Sequence, residues 1–244
     1  MYNNTASPFS GIPPVVKNLL IINIICFAGG ALIFNRANDL FGVYYPDSPG
    51  FHVWQVITYM FMHGGIAHIF FNMFALFMFG PILEQVFGSK RFLNFYLITG
   101  LGALVLQFAV QALEVYSIVD SVSARQFISD INVAERSARI DAGLAPEDRM
   151  TLLSVYTTPM VGASGAIYGL LIAFGYLFPN TPLMLIFLPV PIKAKYFIPV
   201  MILIELFLGV SRTGTSIAHF AHIGGALFGF LLIKAWGIRR PNYW

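Results

Sequence analysis

The sequence predicts an all-α integral membrane protein with six spans and a long outer loop between spans three and four. Three observations carry this prediction. Of the 244 residues, 57% are hydrophobic and only 10% are charged, against roughly 25% charged in an average soluble domain. Mean hydropathy is +0.75. Uncharged intervals of span length recur: 18 residues between Lys17 and Arg36, 36 between Asp47 and Glu84, 22 between Arg91 and Glu114, 43 between Arg149 and Lys193, and 21 between Arg212 and Lys234. About 20 apolar residues cross a bilayer as a helix. This composition excludes a disordered chain, which needs low hydrophobicity and high net charge. One cysteine, Cys26, excludes a disulfide scaffold and the common zinc ribbons and fingers.

Residues 1–14 form a short cytoplasmic N-terminus, 15–236 a single six-span domain, and 237–244 a short cytoplasmic tail. The spans lie at about 15–35, 60–82, 92–113, 163–178, 196–211 and 217–236. Lys17 before an apolar run also fits a secretory leader. The run is long and lacks a small-x-small cleavage site, so it is read as a retained anchor. The fifth span is short and carries an acid, Glu205. Before it, Leu183–Val190 is apolar but flanked or broken by Pro182, Pro189 and Pro191, which fits an interfacial or re-entrant loop. Residues 114–158 hold 11 of the 25 charges. Their composition predicts a water-exposed insert with room for a short amphipathic helix.

Basic residues near span ends set the orientation. With the N-terminus inside, Lys17, Lys90, Arg91, Lys193, Lys195, Lys234, Arg239 and Arg240 fall inside; Arg36 and Arg212 fall outside with the insert. Both termini are then cytoplasmic and the insert is extracytoplasmic. The net charge of +3 follows from this bias and gives no warrant for nucleic acid.

Few polar side chains fall within the spans, and burying one in lipid is costly. His68 and Asn72 are four apart on one helix face. They read either as interhelical hydrogen-bonding glue or as functional donors. Ser164, between Gly162 and Gly165, opens span four. It reads either as part of a small-residue packing face, Gly165 to Gly169, or as a nucleophile at a helix start, where unpaired N–H groups stabilise an oxyanion. His222 shares its face with Gly225 and Gly229, so it points into the bundle; His219 lies a turn nearer the edge and is the less favoured base. Spans two, four and six run the same way. His68, Ser164 and His222 each lie within the first two turns, at one depth in the outer part of the bilayer. Independent packing residues would not need to share a depth. A serine, a histidine base and adjacent donors are the apparatus of acyl transfer.

The stretches His63-Gly-Gly-Ile-Ala-His68-Ile-Phe-Phe-Asn72, Gly162-Ala-Ser164-Gly165 and His222-Ile-Gly-Gly225-Ala-Leu-Phe-Gly229 resemble the rhomboid family of intramembrane serine proteases, from about Trp54 to Ile233. The resemblance implies a six-helix rhomboid bundle and a serine endopeptidase that cuts single-span membrane proteins in or near their spans. It makes Ser164 the nucleophile and His222 its base in a Ser-His dyad. His68, Asn72 and the Ser164 N–H become oxyanion donors, and Tyr168 orients His222. It gives His63 a structural role in the outer loop and places Glu84 and Gly88 at the turn after span two. No carboxylate neighbours His222 in sequence, and none stands at ligand spacing to the histidines, so neither an orienting acid nor a metal is expected; no cofactor is implied. The implied location is a multi-pass cell membrane, with the site open to the extracytoplasmic side. One departure is Gln55 after Trp54, where the family often has arginine. The insert is another. The competing reading is a non-catalytic rhomboid-like protein that binds or traffics membrane proteins.

Overall fold

The computed structural model describes residues 11–32, 36–185, 188–211 and 219–240. Helix α1 (Pro14–Leu32) is followed by the short α2 (Ala37–Phe41), α3 (Gln55–Thr58) and a 3₁₀ turn (Tyr59–Phe61). The long helices α4 (Ile66–Phe87) and α5 (Ser89–Val119) come next. A hairpin of β1 (Ile128–Asn132) and β2 (Ser137–Ile140) leads to α6 (Pro146–Thr157), then α7 (Ser164–Leu177). A second hairpin, β3 (Pro182–Leu185) and β4 (Leu188–Lys193), precedes α8 (Ala194–Ser211) and α9 (His219–Ala235). Among the described residues, α1, α4, α5 and α8 are long and apolar enough to cross a membrane; α7 and α9 are shorter apolar helices. The chain is an integral membrane protein built mostly of helices.

The centre of the bundle is α5, α7 and α9, with α1 and α4 on one side and α8 against α7 and α9. The outward surfaces of the long helices stay apolar, as on α8, where Tyr196, Leu203 and Phe207 are exposed. One end is tied by charge. The Glu84 carboxylate accepts the Val15 and Val16 N–H groups at 3.1 and 2.8 Å and the Ser89 hydroxyl at 2.6 Å. It thereby satisfies first-turn donors of α1 that have no partner within their own helix. Gly88, at φ 76°, makes the tight link from α4 to α5.

Several predicted boundaries are corrected. The second helix starts at Ile66, because residues 59–61 form a 3₁₀ turn and residues 62–65 carry no helix. The third runs to Val119, 31 residues or about 46 Å. Its last turns leave the bundle and support the insert. The predicted interfacial loop at 183–190 is a β-hairpin, with residues 186–187 outside the described set. Residues 33–35 of the first predicted span, 217–218 of the last, Arg212 and the outermost terminal residues also lie outside it.

The insert is not a loop. Tyr45, Val115, Ala124, Ile128, Leu152, Val155 and Tyr156 form an apolar core separate from that of the bundle. Pro146, Glu147 and Asp148 start α6 with a fitted first-turn residue and charges that suit the helix dipole. The Asn132 side chain accepts the Ala134 and Glu135 N–H groups and shapes the hairpin turn. Asp47 clamps the insert to the segment before α3. Its carboxylate accepts the Tyr156 hydroxyl at 2.6 Å and the Ser123 hydroxyl at 2.8 Å, and pairs with Arg125 at 3.0 Å. Burial and this carboxylate both push the Tyr156 phenol well above its ordinary pKa. Tyr156 also accepts the Ala124 N–H at 2.8 Å. Tyr156→Phe leaves that buried N–H unpaired, so the insert should lose about 1–3 kcal/mol. Amide exchange should quicken in 120–157 and stay unchanged in α7 and α9.

Gln55 accounts for the departure from the Trp-Arg pair. It is fully buried. Its amide donates to the Leu40 and Gly50 carbonyls at 3.3 and 2.9 Å, and its carbonyl accepts the His52 N–H at 3.0 Å. A neutral amide thus knits the segment together where a charge would need a partner.

Candidate active site

The approach to Ser164 is held by backbone. Val43 and Met160 exchange two hydrogen bonds, 2.9 and 2.8 Å. The Gly162 N–H donates to the Tyr59 carbonyl at 2.9 Å, and the Tyr59 hydroxyl is fixed on the Gly100 carbonyl at 2.7 Å. Gly162 has φ 131°, which L side chains rarely adopt. The chain then enters α7 at Ser164, whose N–H belongs to the first turn and has no helical acceptor. Helix α7 has only 14 residues, about 21 Å, against 22 in α4 and 31 in α5.

Ser164 Oγ lies 2.8 Å from His222 Nε2. The Tyr168 ring, one turn below Ser164, stacks on His222 with centroids 4.4 Å apart and planes 4° from parallel. The glycines explain the approach of α7 and α9. A Cβ on Gly225 would overlap the Gly165 carbonyl oxygen. One on Gly229 would lie 2.8 Å from the Gly169 Cα, and one on Gly165 would overlap the Ala103 side chain of α5. The backbones touch, and Ser164 and His222 sit one turn or less from that contact.

His68 comes from α4. The Gly64 N–H donates to its Nδ1 at 3.3 Å. This leaves the ring proton on Nε2, the tautomer being assigned from that contact. A Cβ on Gly162 would stand 2.8 Å from His68 Nε2 and 3.4 Å from Ser164 Oγ, so both groups border the space above Gly162. Asn72, one turn along α4, lines a cavity of about 890 Å³ together with His68, Ser164, Tyr168 and His222. The rest of that wall is mainly apolar and comes from α4, Val161, α7, β3 and α8. His63 is buried and does not line the cavity; its ring stands edge-on to His68 at 5.1 Å, and its carbonyl accepts the Asn38 amide at 3.1 Å.

The expectation that no acid approaches His222 is overturned. Glu205 of α8 places Oε2 3.0 Å from His222 Nδ1 and 2.6 Å from His219 Nδ1. Its Oε1 accepts the Tyr168 hydroxyl at 2.6 Å. Glu205 is 17 residues before His222 in sequence, and only the antiparallel packing of α8 on α9 closes that gap. The signal that could have found it was an acid inside an apolar span, which is costly without a partner. The same packing removes the argument against a metal: donor atoms of Glu205, His219 and His222 lie within 4.8 Å of one another, close enough to share a cation.

Apolar helices enclosing a serine–histidine pair beside a cavity define an integral membrane protein with a polar site sunk into its helical bundle. Residues 50–238 match the rhomboid domain, and the chain belongs to the rhomboid family. It is 27% identical to rhomboid protease GluP of Bacillus subtilis over 189 residues, 78% of this chain and 27% of that protein. It is 27% identical to rhomboid protease AarA of Providencia stuartii over 190 residues, 75% of this chain and 56% of that protein. A stretch of 53 residues is 47% identical to the mitochondrial RHOMBOID-like protein 6 of Arabidopsis thaliana, 22% of this chain and 17% of that protein. The chain spans between a sixth and just over half of the length of these relatives.

Proposed function

We propose that the protein is an intramembrane serine endopeptidase that hydrolyses peptide bonds in or near the spans of single-span membrane proteins. The contact of 2.8 Å between Ser164 Oγ and His222 Nε2, facing an open cavity, carries this reading. His222 Nε2 takes the hydroxyl proton as Ser164 Oγ attacks the substrate carbonyl carbon. The oxyanion is met by the Ser164 N–H, His68 Nε2–H and the Asn72 amide. The proton passes to the leaving amine as the C–N bond breaks, and water then hydrolyses the acyl-enzyme. Tyr168 holds the imidazole plane throughout. Six apolar helices cross the cell membrane with both termini cytoplasmic. The excess of Lys and Arg at the end holding the α4–α5 turn and the C-terminus of α9 supports that orientation. The position of Ser164 at the start of α7, beside the start of α4 and opposite the α4–α5 turn, supports a site reached by water from the extracytoplasmic side.

The test is cleavage of a single-span reporter co-reconstituted with the purified protein in liposomes. A product ending in or beside the reporter's span is expected. Intact reporter, with folded protein, would favour the non-catalytic binding or trafficking role. Asn72→Ala removes one donor while leaving nucleophile and base in place. It should cut kcat by about 10²–10³-fold without abolishing cleavage.

A further inference from the structure

Glu205 is used neither by the family motifs nor by the dyad chemistry. It lies on an apolar helix with most of its surface exposed, yet its side chain is only 14% exposed and turned into the bundle. An ionised carboxylate only accepts hydrogen bonds. The Tyr168 hydroxyl therefore donates to Oε1 and His219 Nδ1–H to Oε2, each at 2.6 Å. Two donors from two helices hold the carboxylate in one position. Beside it stands His222 Nδ1, which is buried and makes no aligned hydrogen bond. Oε2 is 3.0 Å away, within reach but off the axis of the ring N–H. Catalytic hydrogen bonds are often poorly aligned without substrate and tighten in the loaded complex. Gly209, one turn beyond Glu205, allows this approach: a Cβ there would meet the Phe220 ring at 3.2 Å and the His219 Cβ at 3.3 Å.

We infer that Glu205 is the positioning carboxylate of His222, making Ser164, His222 and Glu205 a triad assembled from α7, α9 and α8. The inference rests on the proteolytic reading above. For Nε2 to accept the Ser164 proton, the neutral ring must carry its own proton on Nδ1. A carboxylate beside Nδ1 selects that tautomer. When the Ser164 O–H bond breaks and its proton reaches Nε2, the ring becomes an imidazolium, and Glu205 balances its charge. The proton then leaves to the amine nitrogen of the broken peptide bond; Glu205 stays ionised throughout. His219 serves the carboxylate and not the serine. Stacking by Tyr168 fixes the plane of His222, and Glu205 fixes its protonation.

The probe is a fluorophosphonate, with kinact and KI measured in detergent. Glu205→Gln, which can offer an N–H to Nδ1 and so favour the wrong tautomer, should lower kinact by up to about 10⁴-fold. KI and the thermal midpoint should stay near wild type. Glu205→Asp should restore part of kinact, because it returns the charge. A purely structural role would lower the midpoint and spare kinact of the folded fraction. A second measurement needs no variant. In the phosphonylated wild type, labelled with ¹⁵N-histidine, a far-downfield Nδ1–H resonance is expected from an imidazolium paired with a carboxylate; its absence overturns the triad. Wild type that labels, with Glu205→Gln labelling at the same kinact, overturns the triad alone. Folded wild type that does not label overturns the proteolytic reading, and the triad with it.

Discussion

Purified Ser164→Ala and His222→Ala are expected to take up no fluorophosphonate under conditions that label the wild type to completion. An ordinary serine hydroxyl is a weak nucleophile and reacts only when an adjacent base takes its proton. Here one base is in place, with Nε2 2.8 Å from Oγ. The two residues act as a unit, so losing either should cost nearly as much as losing both, on the order of 10⁶ in rate. Ser164→Ala removes only a hydroxyl and should keep the thermal midpoint; His222→Ala also removes the ring stacked on Tyr168 and set beside Glu205, so its labelling is measured on the folded fraction. Labelling of Ser164→Ala would place the reactive group elsewhere and refute the dyad. His222→Ala labelling at the wild-type rate, with His219 intact, would transfer the base role to His219. That residue lies against Glu205 and not against Ser164, so this outcome is not expected.

Gly225→Leu is expected to have the largest effect on the fold, and with it on activity. Most tight positions can relax by turning a flexible side chain. At Gly225 the first obstacle to a Cβ is the Gly165 carbonyl, followed by the Gly165 Cα at 3.1 Å, and both are backbone. Relief therefore requires α7 and α9 to separate. Overpacking a well-packed core costs typically 1–3 kcal/mol, and a contact between two backbones belongs at the upper end, about 3 kcal/mol. Ser164 immediately precedes Gly165, and His222 lies three residues before Gly225. Separation of the helices thus passes directly into the gap between Oγ and Nε2. A displacement near 1 Å costs about 10²-fold in rate. The expected result is a lower thermal midpoint in detergent and loss of labelling in the fraction that stays folded. Gly29→Ala on α1 is the control, because a Cβ there meets nothing within 4 Å. It should keep full labelling and gain slightly in helix stability. If Gly225→Leu labels as fast as Gly29→Ala, close helix contact is not what holds the pair together.

Much of the site was legible in the chain because helical periodicity converts spacing into direction. Ser164, Gly165 and Tyr168 on one helix, and His222, Gly225 and Gly229 on another, need only the 3.6-residue turn to show which groups face inward. The glycines also announce which helix faces meet. His68 and Asn72 follow by the same rule. The membrane makes this reading stronger than in a soluble protein, since a polar group facing lipid is costly and an inward direction is the remaining choice.

What composition and local spacing determined were the membrane class, the apolar helices and the residues aimed into the bundle. They could not determine how α8 is rotated about its own axis. That rotation depends on contacts such as Gly209 against Phe220 and His219, and it alone decides whether Glu205 meets His222 or lipid. The insert was hidden for a related reason. Its strands have four and five residues, too short for an alternating pattern to stand out. Its core also draws Tyr45 from before α3 and Val115 from the end of α5. Spacing along one element can be read from its sequence. Distance between elements is set by packing, where each contact depends on all the others, and so the acid beside the histidine became visible only once the helices were assembled.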